Sequence, residues 1–113
     1  MMRKRDGDDC KGKVQSLANC VDYQEGSIVS REILKKETGT LTVFAFDQGQ
    51  GLSEHTAPFD ALVDVIDGEA EILIDGQPHT AKAGEFIILP ANVPHALKAE
   101  VKFKMLLVML KSQ

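Results

Sequence analysis

Short apolar runs cut by paired turn residues are the feature that most limits what this chain can become. ALVDVI at 61–66 ends at Asp67-Gly68, and EAEILI at 69–74 ends at Asp75-Gly76. An Asp-Gly pair between alternating apolar runs is a strong hairpin signal, because tight turns need residues that tolerate positive φ. Further runs rich in strand formers lie at 27–34, 39–46, 79–83, 85–90, 95–99 and 101–110. Asp47-Gln48-Gly49-Gln50-Gly51 ends the second of these. No segment of ten or more residues carries a convincing helical period. Many short strands with closely spaced turns predict an all-β sandwich or barrel.

The 113 residues suit one domain. We expect a polar, irregular and disordered tail over residues 1–13 and a single β domain over residues 14–113. VQSLANC at 14–20 reads as a short helical turn or an edge segment. The tail carries Arg3, Lys4 and Arg5, with Asp6, Asp8 and Asp9 immediately after them to cancel their charge. Net charge is -4 and aromatic residues make up 5% of the chain, with no tryptophan. That argues against nucleic acid as a partner, which would call for a basic patch or a stacking platform. No apolar run approaches the ~20 residues of a membrane span, and the N-terminus has no secretory-signal pattern. A cytoplasmic protein is expected. Cys10 and Cys20 lack metal-ligand spacing and fit that compartment poorly as a disulfide.

Three histidines are present: His55, His79 and His95. His79 comes just after the Asp75-Gly76 turn and Pro78, and reads as a surface residue of a hairpin. Alternation puts Ala61, Val63 and Val65 on one face of their strand and Leu62, Asp64 and Ile66 on the other. Apolar residues on both faces predict that the outer face is covered too, and we expect a homodimer. Val101, Phe103, Met105, Leu107 and Met109 share a face of the last strand, and Phe44 and Phe46 share one of theirs.

Two stretches then carry a resemblance. Gly49-Gln-Gly-Leu-Ser-Glu-His55-Thr-Ala-Pro-Phe-Asp-Ala-Leu-Val-Asp-Val-Ile-Asp-Gly68 resembles the first cupin motif, and Gly84-Glu-Phe-Ile-Ile-Leu-Pro90-Ala-Asn-Val-Pro-His95 resembles the second. Glycine, proline and histidine spacings agree in both, and the likeness is to small single-domain cupins. It implies a double-stranded β-helix, or jelly-roll, barrel with His55 and His95 facing one pocket.

The family's metal is usually held by three histidines and a glutamate. Here the second histidine position holds Ala57, and the glutamate position holds Ala61, or Leu62 at the longer spacing. Asn92 replaces the second motif's glycine and can adopt the left-handed conformation. Ala99 replaces its closing asparagine. Two imidazoles would hold a divalent transition metal (iron, manganese, nickel or zinc) only weakly, since catalytic sites usually offer about three protein ligands. Asp60 would supply a third ligand if a bulge turned it inward. Beside an interaction module whose role is dimerisation or partner docking, the residues leave two functions open for the histidine pair. One is a barrel that binds a small molecule or a weakly held metal in its lumen. The other is a metal-dependent enzyme using His55 and His95, of the dioxygenase or sugar/keto-acid isomerase type. No catalytic role is assigned to a particular residue.

Overall fold

Alternation along the chain resolves into nine strands among the described residues of a computed structural model, which are residues 2–5 and 10–111. In chain order they are β1 (Met2–Arg5), β2 (Ile28–Lys36), β3 (Gly39–Phe46), β4 (Gly51–His55), β5 (Ala61–Ile74), β6 (Gln77–Lys82), β7 (Phe86–Leu89), β8 (His95–Lys98) and β9 (Phe103–Leu110). The one helical element among them is a 3-10 turn, Leu17–Asn19. This is the all-β barrel expected from the turn spacing, in the jelly-roll arrangement that the cupin resemblance implies.

β5 organises the barrel. Its first half pairs with β9 and β7, and its second half pairs with β8 and β6. One sheet thus runs β1-β2-β3-β9-β5-β7, and the other runs β4-β8-β5-β6. The expected hairpin at Asp67-Gly68 does not form, and the strand continues through it for 14 residues. The left-handed conformation of Gly68, φ 74°, is absorbed instead beside a register shift between Val65 and Asp67. Such a bulge bends a strand without reversing it. At that bend β5 leaves one sheet and enters the other. A β-carbon on Gly68 would lie 2.2 Å from the Lys102 carbonyl oxygen, so the close crossing of β9 also requires glycine. Asp75-Gly76 does form the two-residue hairpin, with φ of 52° and 77° and Ile74 opposite Gln77.

Alternation then sorts the side chains. Val63, Val65, Ile72, Phe46, Phe103 and Met105 are fully buried between the sheets. Phe46 and Phe103 stack with ring centroids 4.5 Å apart. Burying such a side chain stabilises the fold by roughly 1.5–3 kcal/mol. The opposite face of β2 and β3 carries a second, smaller core of Val29, Val43 and Ala45. Cys20 and Val21, from the segment before β2, cover it.

Two features lie outside the strand reading. Residues 2–5 run parallel to β2, with Met2 opposite Ile28, in place of the expected irregular tail. The open edge of β2 offers a ladder of backbone groups, and backbone pairing needs no apolar alternation in the added strand. Residues 1 and 6–9 of that expected tail lie outside the described residues. β4 is the second feature, a strand whose residues carry no strand pattern of their own.

Candidate functional site

β4 and β8 bring the two histidines together. His55 and His95 stand opposite one another in the antiparallel register. Leu52 pairs with Leu97 and His55 with His95, so Ser53 and Glu54 together face only Ala96. That count of two residues against one is a β-bulge. Strict alternation from Leu52 would turn Glu54 inward and His55 outward, and the bulge reverses this.

The Nε2 atoms of His55 and His95 lie 3.1 Å apart. The rings meet edge to face, with centroids 4.4 Å apart. His55 Nδ1 lies 2.8 Å from the Ser53 carbonyl oxygen, and His95 Nδ1 lies 3.2 Å from that of Val93. A carbonyl oxygen only accepts, so each Nδ1 is the donor. Each neutral ring then aims an Nε2 lone pair at the other. Two facing lone pairs repel unless a cation, either a proton or a metal ion, sits between them. His95 is 6% exposed, whereas His55 is exposed. Burial pushes the His95 imidazolium below its ordinary pKa, opposed by the Val93 carbonyl and assisted by neighbouring His55. The inner ring is therefore biased towards the neutral form, which is the form that binds metals.

Both rings open on a cavity of about 70 Å³. Ala57 and Ala61 line it, at the two positions where the expected ligands are replaced by methyl groups. Leu52, Phe59, Leu89, Leu97, Met105, Leu107 and Met109 complete the wall, so among the described residues the imidazoles are its only polar side chains. At about 70 Å³ the space admits water. That is far below the ~300–1,000 Å³ of an ordinary small-molecule pocket.

Asp60 is placed elsewhere. Its Oδ1 accepts a hydrogen bond from the Ala91 backbone N–H at 2.8 Å. Among the described residues, no group of three or more His, Cys, Asp or Glu side chains is arranged to hold a metal ion. The inward bulge that Asp60 would need occurs at Ser53–Glu54 instead. His79 is exposed on β6, as expected. Asn92 is left-handed, φ 64°, and its N–H donates to the Ala57 carbonyl at 2.7 Å, joining the loops that precede β5 and β8. Sequence reasoning does not single out Leu52 and Phe59 as lumen wall. For Leu52, alternation misleads across the bulge, and Phe59 sits in a loop without a strand period.

The cupin domain family model matches residues 42–110. No curated protein matches the chain. Among solved structures, a conserved protein of unknown function from Streptococcus pyogenes is 37% identical, with a TM-score of 0.86 and 90% of each chain covered. A cupin 2 conserved barrel domain protein from Leptotrichia buccalis is 48% identical, with a TM-score of 0.81. The match covers 83% of this chain and 46% of that one. A cupin superfamily protein from Desulfitobacterium hafniense is 25% identical, with a TM-score of 0.84 and coverage of 90% and 94%.

Proposed function

The chain belongs to the cupin domain family, and from that premise we propose that its lumen takes a weakly held divalent transition metal on His55 and His95. One observation carries this reading: two Nε2 lone pairs converge at 3.1 Å, with both Nδ1 atoms committed to carbonyl oxygens. Two nitrogens each about 2.1 Å from a shared ion and this far apart subtend about 95° there, an ordinary angle between neighbouring ligands. The donor set fits two positions of a metal's coordination shell. It does not fit the full set of three histidines and a glutamate, because Ala57 and Ala61 offer no donor atom. Water or a small ligand fills the remaining positions, in a space of about 70 Å³ walled by apolar groups. Iron, manganese, nickel and zinc all accept imidazole nitrogen.

A catalytic metal centre is the weaker reading. Among the described residues it lacks a third protein ligand. Elemental analysis tests the proposal on protein purified without a histidine tag, after incubation with each divalent ion and removal of the excess. The expected result is a substantial fraction of an ion per chain. Less than about a tenth of an ion per chain overturns it.

We further propose a cytoplasmic homodimer formed through the outer face of β9, β5 and β7. Phe86, Ile88 and Leu110 are 64%, 44% and 59% exposed there. They adjoin Leu62 and Val108, which face the same way in register. Exposed apolar side chains clustered on one sheet face, with Asp64 opposite Phe86 among them, mark an interaction surface. Light scattering at micromolar concentration is expected to give twice the chain mass, and a monomer contradicts the proposal.

A further inference from the structure

The segment before β2 holds a second arrangement of reactive groups, unrelated to the lumen. Cys10 and Cys20 line one cavity of about 170 Å³ on the outer face of the barrel, with Leu17 and Ile33. Neither is in a disulfide. They differ in access: Cys10 is half-buried, whereas Cys20 is 4% exposed and its thiol donates to the Ser16 carbonyl at 3.3 Å. Arg31 projects from the same face of β2 as Val29 and Ile33 and donates through Nη2 to the Cys10 sulfur at 3.7 Å. Its Nε is buried and has no hydrogen-bond partner among the described residues. A buried guanidinium N–H without an acceptor is costly. An oxygen added to the neighbouring sulfur would supply that acceptor.

We propose that Cys10 and Cys20 form an oxidisable thiol pair, in which Arg31 receives the oxygen of oxidised Cys10. The oxidant is a hydroperoxide. The Cys10 sulfur attacks the terminal peroxide oxygen and the O–O bond breaks. The alcohol, or water from hydrogen peroxide, leaves with the displaced proton, and Cys10 becomes a sulfenic acid. The Cys20 sulfur then attacks the Cys10 sulfur. An S–S bond forms, the S–O bond breaks, and the hydroxyl departs as water with the Cys20 proton. The partly exposed thiol meets the oxidant and the buried one resolves it, a division set by their access. The product ties the segment that covers the outer core into a closed loop, and reduction by a thiol reopens it.

The test is hydrogen peroxide treatment of the full chain, read by mass spectrometry with and without a reductant. The wild type is expected to lose two hydrogens in an intramolecular Cys10–Cys20 disulfide that the reductant reverses. Cys20→Ser is expected to stop at a sulfenic acid on Cys10 that dimedone traps. Arg31→Met should slow Cys10 oxidation by roughly tenfold. Arg31→Lys keeps the charge but lacks Nε, and should be slowed as well. It serves as the second variant if Arg31→Met does not fold. Two alkylatable thiols remaining in the treated wild type, or oxidation no faster than in denatured protein, would overturn the proposal. So would an unchanged rate in the folded Arg31 variants.

Discussion

The Asp60 carboxylate accepts a hydrogen bond from the Ala91 backbone N–H at 2.8 Å and so joins the loop entering β5 to the loop leaving β7. The parallel bond from Asn92 N–H to the Ala57 carbonyl, at 2.7 Å, reinforces the same junction. These loops carry the two histidine-bearing motifs past one another. Asp60 acts here as a clip between the two loops.

Asp60→Ala should therefore lower stability without touching ion binding. A hydrogen bond of this kind contributes about 1 kcal/mol, or a melting shift of about 4–8 °C in a domain this size. Calorimetry should show that loss while metal affinity stays within about twofold of wild type. A loss of affinity beyond tenfold would return Asp60 to the ligand set.

Gly68→Ala should be severe. The substitution places a β-carbon 2.2 Å from the Lys102 carbonyl oxygen and asks alanine to hold φ near 74°. Together these should cost about 3 kcal/mol, read from urea unfolding midpoints. Alanine at Gly76, which has no heavy atom within 4 Å of the added carbon, should cost only its backbone strain.

The contrast between those glycines also marks how far local sequence reaches. Asp67-Gly68 and Asp75-Gly76 are the same dipeptide in nearly the same pattern, yet one bends a strand and the other reverses it. What separates them is the approach of β9 to Gly68, a contact with a segment more than thirty residues away. Motif spacing was enough to bring His55, His95, Ala57 and Ala61 to one cavity. Alternation alone would have turned His55 outward, because nothing in GLSEH announces the bulge. The Cys10 and Cys20 cavity is invisible for a similar reason: it needs β2 to present Ile33 beneath a segment with no strand pattern.

Stability should fall on acidification because of His95. Its ordinary pKa of 6.5 applies in the unfolded chain and is lowered in the fold, chiefly by burial. The unfolded chain then binds more protons, so stability rises with pH across this window. Urea midpoints should be level at higher pH, fall as pH drops through 6.5, and level again below the folded value. His95→Gln should flatten this portion of the profile, and an unchanged profile would contradict the assignment.

Restoring a missing ligand should strengthen the site. Ala61 is 7% exposed and lines the cavity, so Ala61→Glu places a carboxylate beside the imidazoles. Ion affinity measured by competition with a chelating dye should rise at least about tenfold. The metal-free variant should unfold at lower temperature than wild type, because the buried carboxylate then lacks a partner.

Under the proposed function, His55 and His95 act together on one ion. Titration of cobalt(II), nickel(II) and zinc(II) into wild type, His55→Ala and His95→Ala, monitored by calorimetry, tests it most directly. One weak site per chain is expected in the wild type, with affinity reduced at least about tenfold by either substitution. Binding that is absent from the wild type, or that persists unchanged in both variants, would contradict it.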